Sequence, residues 1–272
     1  NLKGVLIAVP VVNIYGVLDR SRYLPDRRDL NRSFPGSRKG SMAARIADVF
    51  MQEIVSQCTH GIDLHTGAIH RSNLAQVRAN LDDAETLQLA QKFNVPVLIN
   101  ADLRDGSLRG AAAALGVRML LYEAGQALRL DELSIRAGLH GILNVMREIG
   151  MLPPGSRRKS RQKPFIAHSS SWERASQSGM MRTFVPLGAH VKKGDQIAII
   201  FDPITGRETP VDTRYSGVVI GRSELPLVHE GDAIFHIARF EGKASRVAEH
   251  VEAFQQDHEP GESETSREPP IY

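Results

Sequence analysis

Three short stretches of this sequence combine polar side chains at positions where chemistry needs them. Asp63-Leu64-His65-Thr66-Gly67 ends a short apolar run on an imidazole. A histidine at the C-terminal end of a strand in an α/β sheet projects into the crevice where such folds place ligands. A carboxylate two residues earlier shares its face and can stiffen the ring from behind, which makes His65 a candidate metal ligand and Asp63 its supporting partner. Spacing alone leaves open that His65 is an ordinary strand-end histidine, and His60 and His70 beside it read as surface or loop residues. The second stretch is Arg28-Asp29-Leu30-Asn31-Arg32. A guanidinium forks onto a carboxylate through two parallel hydrogen bonds, so Arg28 and Arg32 beside the Asn31 amide suit an amino-acid carboxylate. A solvated charge run is the competing account. The third is Glu123 in Tyr122-Glu123-Ala124-Gly125, at the end of an otherwise apolar strand. A lone buried carboxylate is costly unless it is paired or its pKa rises, and a raised pKa suits a general base that activates water; a structural salt bridge is the alternative.

The elements that must position these groups read as an alternation of strands and helices. Residues 5–12 form a continuous apolar, β-branched run, the pattern of a strand buried on both faces of a mostly parallel sheet. Residues 13–36 make a long arginine-rich loop, anchored by Tyr15, Tyr23 and Phe34. A helix over 41–56 is predicted from Ile46, Val49, Phe50 and Ile54, with Ser41 as its cap. Strands follow at 61–64, 74–77, 95–99 and 117–122, with helices at 84–93, 107–115 and 130–149. This argues a mixed, largely parallel sheet flanked by helices over residues 1–150. Residues 151–164 form a basic linker holding Arg157, Arg158, Lys159, Arg161 and Lys163. Short strands broken by Gly and Pro over 165–240 suggest a small all-β barrel or sandwich. Residues 241–272 are expected to be mostly disordered, with a marginal helix at 244–254.

Composition narrows the class. The chain has 272 residues, 42% of them hydrophobic, enough for one large α/β domain with a smaller partner. The net charge of +3 is small and its excess is local, which argues against nucleic acid as a partner. A single cysteine, Cys58, excludes an internal disulfide framework and a thiolate-rich metal site, and fits a reducing cytosol. No apolar run approaches the roughly 18 to 20 residues that span a bilayer, so no membrane is expected. A homo-oligomer is left open.

Together these motifs resemble the succinylglutamate desuccinylase and aspartoacylase family, relatives of the zinc carboxypeptidases, from Leu2 to Gly125 and more loosely to about Ala238. The resemblance implies zinc-dependent hydrolysis of the amide bond of a small N-acyl amino acid. It implies that His65 is the third zinc ligand, Glu123 the general base, Asn31 and Arg32 the holders of a substrate carboxylate, and Arg109 a second substrate contact. Arg22 and Arg27 are further candidates in the loop. The family's other two zinc ligands belong to a His-x-x-Glu element ahead of the opening strand, and none precedes Asn1 here, so either truncation or an inactive remnant is expected. The strands after 165 resemble a biotinyl or lipoyl carrier barrel, without lysine at the hairpin Pro203-Ile204-Thr205-Gly206-Arg207. A carboxypeptidase-like peptide hydrolase and a metal-free carboxylate-binding protein are the rival readings.

Overall fold

A computed structural model describes residues 2–154, 163–240 and 244–259. In chain order the first elements are α1 (Ile14–Leu18), α2 (Met42–Glu53), β1 (His60–Gly67), β2 (Arg71–Ala79), α3 (Ala84–Phe93) and β3 (Val97–Asn100). They are followed by α4 (Leu108–Ala114), β4 (Arg118–Gln126) and α5 (Glu132–Glu148). The later part has β5 (Phe165–Ala167), β6 (Ser169–Arg174), β7 (Gly179–Thr183), β8 (His190–Val191), β9 (Gln196–Phe201) and β10 (Glu208–Asp212). It ends with β11 (Gly217–Ser223), β12 (Leu227–Val228), β13 (Ala233–Arg239) and α6 (Ala244–His258).

Helices α2 to α5 each start at a capping side chain. Ser41 accepts from the Ala44 amide, Asp83 from Thr86, Ser107 from Gly110 and Asp131 from Ser134. Each cap satisfies one of the N–H groups that a helix start leaves unpaired. In α2 the buried face is Ala43, Ala47 and Met51, offset from the stripe expected, and Val49 faces solvent. Small side chains take that face because α2 packs closely against Leu24, Leu30 and Phe34 of the early loop and Leu108 and Ala112 of α4. The loop is thereby ordered, but by Phe34, Leu24 and Leu30; Tyr15 and Tyr23 are exposed.

One nine-stranded sheet runs β1-β4-β2-β11-β13-β6, with β3, β5 and β8 joined at its sides. Pairs β1–β4, β2–β3 and β3–β5 are parallel. Strand β2 is antiparallel to both β4 and β11, and β11 is antiparallel to β13, which is antiparallel to β6. The sheet is therefore mixed, with an antiparallel centre in place of the largely parallel one expected. The reason is that β2 returns from β1 through residues 68–70, far too few for the crossover that parallel strands need.

Strand β2 also ties the later strands in: its residues 76–79 pair with β3 and its residues 71–73 with β11. The strands after 165 consequently do not close into a barrel of their own. Five of them extend the large sheet, while β10-β9-β7-β12 form a separate four-stranded sheet. The two share a core of Met181, Val191, Ile197, Ile200, Val219, Phe235 and Ile237.

Two further expectations are corrected. Residues 5–12 form no strand: Val5 is 83% exposed, Ile7, Val9 and Val11 are also exposed, and no described strand pairs with them. A doubly buried strand needs a ladder partner and a layer on each face, and this run has neither among the described residues. Residues 244–254, expected as a marginal helix within a mostly disordered tail, lie in helix α6 (Ala244–His258), which is longer and packed, burying Val247, Val251, Phe254 and His258. Their spacing makes one apolar stripe that packs across both cores flanking β3. The basic residues Arg157, Arg158, Lys159 and Arg161, and residues 260–272, lie outside the described residues.

The packing of α5 against α3 generates a test. Ala is the better helix former by about 1 kcal/mol, but a Cβ at Gly141 would lie 2.2 Å from Cε1 of the buried Phe93. Overpacking costs about 1–3 kcal/mol. Gly141→Ala is expected to lower the thermal midpoint; a raised midpoint would mean that the ring moves aside freely.

Candidate active site

The parallel register of β1 on β4 sets His65 opposite Glu123 and Asp63 opposite Leu121. Directly paired residues project from the same face of strands about 4.8 Å apart, so the imidazole and the carboxylate stand side by side. On the other flank of β4, Gln76 of β2 lies opposite Glu123 and Arg78 opposite Leu121. A bulge between Asn73 and Gln76 brings the Asn73 side chain onto this face as well. Tyr122, Leu120 and Val77 point the other way, into the core under α3 and α5. Glu123 is thus not a lone buried carboxylate: its Oε2 accepts from Asn73 Nδ2 at 3.0 Å and lies 3.2 Å from Arg78 Nη2.

Gly67 ends β1 because nothing larger fits. A Cβ there would lie 2.1 Å from the Arg71 carbonyl oxygen, where the chain doubles back into β2. The register slips between His65 and Gly67, which leaves His65 as the last regularly paired side chain on the ladder beside Glu123.

His65 Nε2 lies 2.9 Å from Asp63 Oδ2. Burial opposes protonation of this ring, but the Asp63 hydrogen bond and charge, helped by the Glu123 charge, outweigh burial and the opposing Arg22 charge. The imidazole therefore holds its proton to higher pH than usual. With Nε2–H donating to Asp63, the other ring nitrogen carries the lone pair that a metal would take. Among the described residues no group of three or more His, Cys, Asp or Glu side chains converges. His65 with Asp63 behind it is one ligand, and does not amount to a zinc site on its own.

The loop arginines divide. Arg22 pairs with Asp29 at 2.8 Å and its charge reaches His65. Arg28 and Arg32 are exposed, and Arg32 Nη1 donates to the Asn31 carbonyl of its own loop. The Asn31 side-chain oxygen accepts from the Leu108 amide at 2.9 Å, tying the loop to the start of α4. Arg109 is only 8% exposed and donates to the carbonyls of Ala101 at 3.0 Å and Asp102 at 2.7 Å. Burial, followed by the Arg78 and Arg104 charges, lowers its pKa, while Glu123 and Asp102 oppose the shift. Asp63, His65 and Glu123 stand together, the charge of Glu123 reaches Arg109, and the loop arginine whose charge bears on His65 is Arg22, which is exposed like Arg28 and Arg32. A surface depression lined by Phe34, Asp48, Met51, Leu103 and Ala111 lies beside α2 and α4 and touches none of Asp63, His65 and Glu123.

Residues 1–149, which carry every one of these groups, match the model of the succinylglutamate desuccinylase/aspartoacylase catalytic domain. The chain belongs to this family. It is 27% identical over 250 residues to the N-alpha-acetyl-L-2,4-diaminobutyric acid deacetylase of Halomonas elongata, covering 88% of this chain and 73% of that one. Its fold is that of a succinylglutamate desuccinylase/aspartoacylase from Rhodobacter sphaeroides, with TM-score 0.76, 22% identity, and 85% and 74% of the two chains covered. The product-bound ectoine utilization protein EutE from Ruegeria pomeroyi superposes with TM-score 0.75 at 24% identity, covering 85% of this chain and 73% of that one.

Several residues at the site went unread in the sequence. Asn73 and Arg78 flank the apolar run expected as a strand at 74–77, and polar residues at its two ends were the available signal. Trp172 and His236 come from β6 and β13, far along the chain, and no local pattern marks them. Their rings stack at 4.6 Å and 8°.

His236 is 5% exposed, and burial together with the Arg78 charge pushes its pKa down to about 3. The unfolded chain takes up this proton near pH 6.5 and the folded chain does not, so stability falls as pH drops from about 6.5 toward 3. At about 1.4 kcal/mol per pH unit, the loss at pH 5 is about 2 kcal/mol. His236→Phe, which preserves a ring on Trp172, is expected to shrink the urea-measured stability difference between pH 7 and pH 5 by that order. Equal differences in both proteins would mean that the folded state already carries the proton.

Proposed function

We propose that this chain carries the acid–base half of an amide hydrolase acting on a small N-acyl amino acid, releasing a carboxylic acid and a free amine. The observation that carries the reading is the ladder pairing of His65 with Glu123 on one sheet face, with arginine charge on every side of the pair. Family membership and the deacetylase relative support the reaction class.

Glu123 is the one carboxylate at the end of β4, held by Asn73 and Arg78 with one oxygen engaged by both. Its remaining oxygen is the acceptor for a proton from water attacking the amide carbon, and the same group returns that proton to the departing amine. Asn73 fixes the carboxylate's orientation, which matters because proton transfer needs hydrogen-bond reach. Arg22 and Arg109 supply positive charge where a substrate carboxylate and a developing oxyanion need it. Arg28, Asn31 and Arg32 stand on the same loop as further holders of a substrate carboxylate.

Zinc is the cofactor we propose, and when bound it would polarise the acyl carbonyl and acidify its water. His65, backed by Asp63, is the residue of this chain to hold it, but three ligands are needed and the described residues offer this one. The proton steps therefore rest on the chain's own groups. That single-imidazole donor set also favours a second reading, a carboxylate-binding protein that does not turn over.

Glu123→Gln, which keeps the shape and the Asn73 contact, is expected to lower amine release from N-acetyl amino acids by about 10²- to 10⁴-fold, with metal content unchanged. Turnover at the parent rate would remove Glu123 from the role of base. Saturable ligand binding with no amine release from the parent protein would establish the second reading.

A further inference from the structure

The four-stranded sheet β10-β9-β7-β12 turns one face to a core and the other to water. Met181, Ala198, Ile200 and Val211 point inward and share a core with the large sheet. Side chains alternate along a strand, so Met180, Arg182, Ile199 and Phe201 point outward. Ladder pairing lines these outward residues up across the strands. In one row Leu227 of β12 pairs with Met180, Met180 with Phe201, and Phe201 with Glu208 of β10. In the next row Arg182 pairs with Ile199, and Ile199 with Pro210.

An antiparallel sheet with one face on a core ordinarily turns polar side chains to water on the other. Here both rows are apolar apart from Arg182 and Glu208, and none of their apolar residues joins a hydrophobic core of the fold. Leu227 is 56% exposed. Phe184, further along the chain from Arg182, adds a ring that is 47% exposed, with the Arg182 guanidinium carbon 5.6 Å from its centre. Helix α6 places its apolar stripe elsewhere, against β2, β3 and β11. A contiguous apolar face of this kind marks an interaction surface.

The two charged positions say what fits it. Arg182 and Glu208 stand at opposite corners of the two rows, on strands separated by β9. With strands about 4.8 Å apart and rows about 7 Å apart, the corners are about 12 Å from each other. Neither side chain forms an ion pair among the described residues. A partner must therefore offer one anion and one cation on either side of an apolar stripe, and the face itself has that pattern. A two-fold axis lying in the plane of the face, across the line from Arg182 to Glu208, sets Arg182 of one copy over Glu208 of the other, and Glu208 over Arg182. The same rotation brings the Phe201 and Ile199 centre onto its own copy, so apolar surface meets apolar surface between charged rims.

We infer that the outer face of this sheet is the isologous contact of a homodimer, with Phe201 and Ile199 at its centre and two symmetry-related Arg182–Glu208 ion pairs at its rim. The occupant is a second copy of this chain. No residue of the candidate active site takes part, so the inference stands or falls apart from the hydrolase reading.

Sedimentation velocity of the purified chain over about 1 to 100 µM tests it, because self-association grows with concentration. A species of twice the 30.0 kDa chain mass is expected. Phe201→Asp, which puts a charge at the apolar centre, is expected to weaken association by about a hundredfold. Arg182→Glu and Glu208→Arg each set like charges against each other at both rim pairs, and each is expected to weaken it by about tenfold. The chain carrying both exchanges re-forms the pairs with reversed signs and is expected to return to within about threefold of the parent. Because that chain contains both substitutions, its recovery also shows that neither one unfolds the sheet. A parent that stays monomeric to about 100 µM, a dimer untouched by Phe201→Asp, or a double exchange no tighter than either single one would each overturn the assignment. A monomeric parent retained on phenyl-agarose, with retention lost in Phe201→Asp, would give the face to a different partner and overturn it as well.

Discussion

The whole site depends on one ladder. Strands β1 and β4 lie parallel in a register that puts an imidazole and a carboxylate opposite each other, and β2 locks β4 from its other side. Side chains alternate along a strand, so a slip of one residue in either pairing would send His65 or Glu123 into the apolar layer beneath. That layer makes a slip expensive. Leu120, Tyr122, Ala124 and Val77 are all buried on the far face against Phe93 of α3, and a slip would drive Glu123 or Arg78 into that layer. Hydrophobic burial on one face of the sheet thus holds the polar geometry on the other.

On that polar face, charge is managed by pairing. Asp63 serves His65, Arg78 and Asn73 serve Glu123, and Asp29 serves Arg22. A buried carboxylate without such partners would take up a proton. Arg109 acts differently, because its donors hold the carbonyls of residues 101 and 102 and fix the loop that leads into α4 while its charge stays within reach of Glu123. Asn31 works in the same way from the other side, anchoring the arginine loop to the start of α4 through its side-chain oxygen. These groups build a rigid rim in which polar side chains do structural duty first. What is left over is positive charge, which a carboxylate ligand complements, and buried polar atoms of Gln76, Arg78 and His236 without a partner.

The later strands enter this account because β2 is long enough to pair with two strands along one edge. Its second half takes β3 and its first half takes β11. Through β11 the sheet continues into β13 and β6, so rings from positions 172 and 236 reach a site whose other residues lie before position 126. Helix α6 closes the arrangement by packing Val247 and Val251 against Leu74, Val97 and Ile220. A segment that would carry too few apolar residues to fold alone is thereby ordered by an existing groove.

Local chemistry determined a good deal by itself. The cap Ser41, the apolar strands at the centre, and the separate Asp63-His65 and Glu123 motifs can be read from residue type and spacing within a few positions. Periodicity failed where burial depended on distant partners. Residues 5–12 have the composition of a central strand but no ladder partner among the described residues, and residues 244–258 have a sparse stripe that is buried against the strands β2, β3 and β11. The sheet's direction was set by the short return from β1 to β2, the pairing of Arg78 with Glu123 by strand register, and the approach of Trp172 and His236 by a sheet running through both halves of the chain. Caps, strand alternation and motif residues act over a few positions, so sequence contains them. Register, edge pairing and burial join residues tens to hundreds of positions apart, and only the folded chain brings those together.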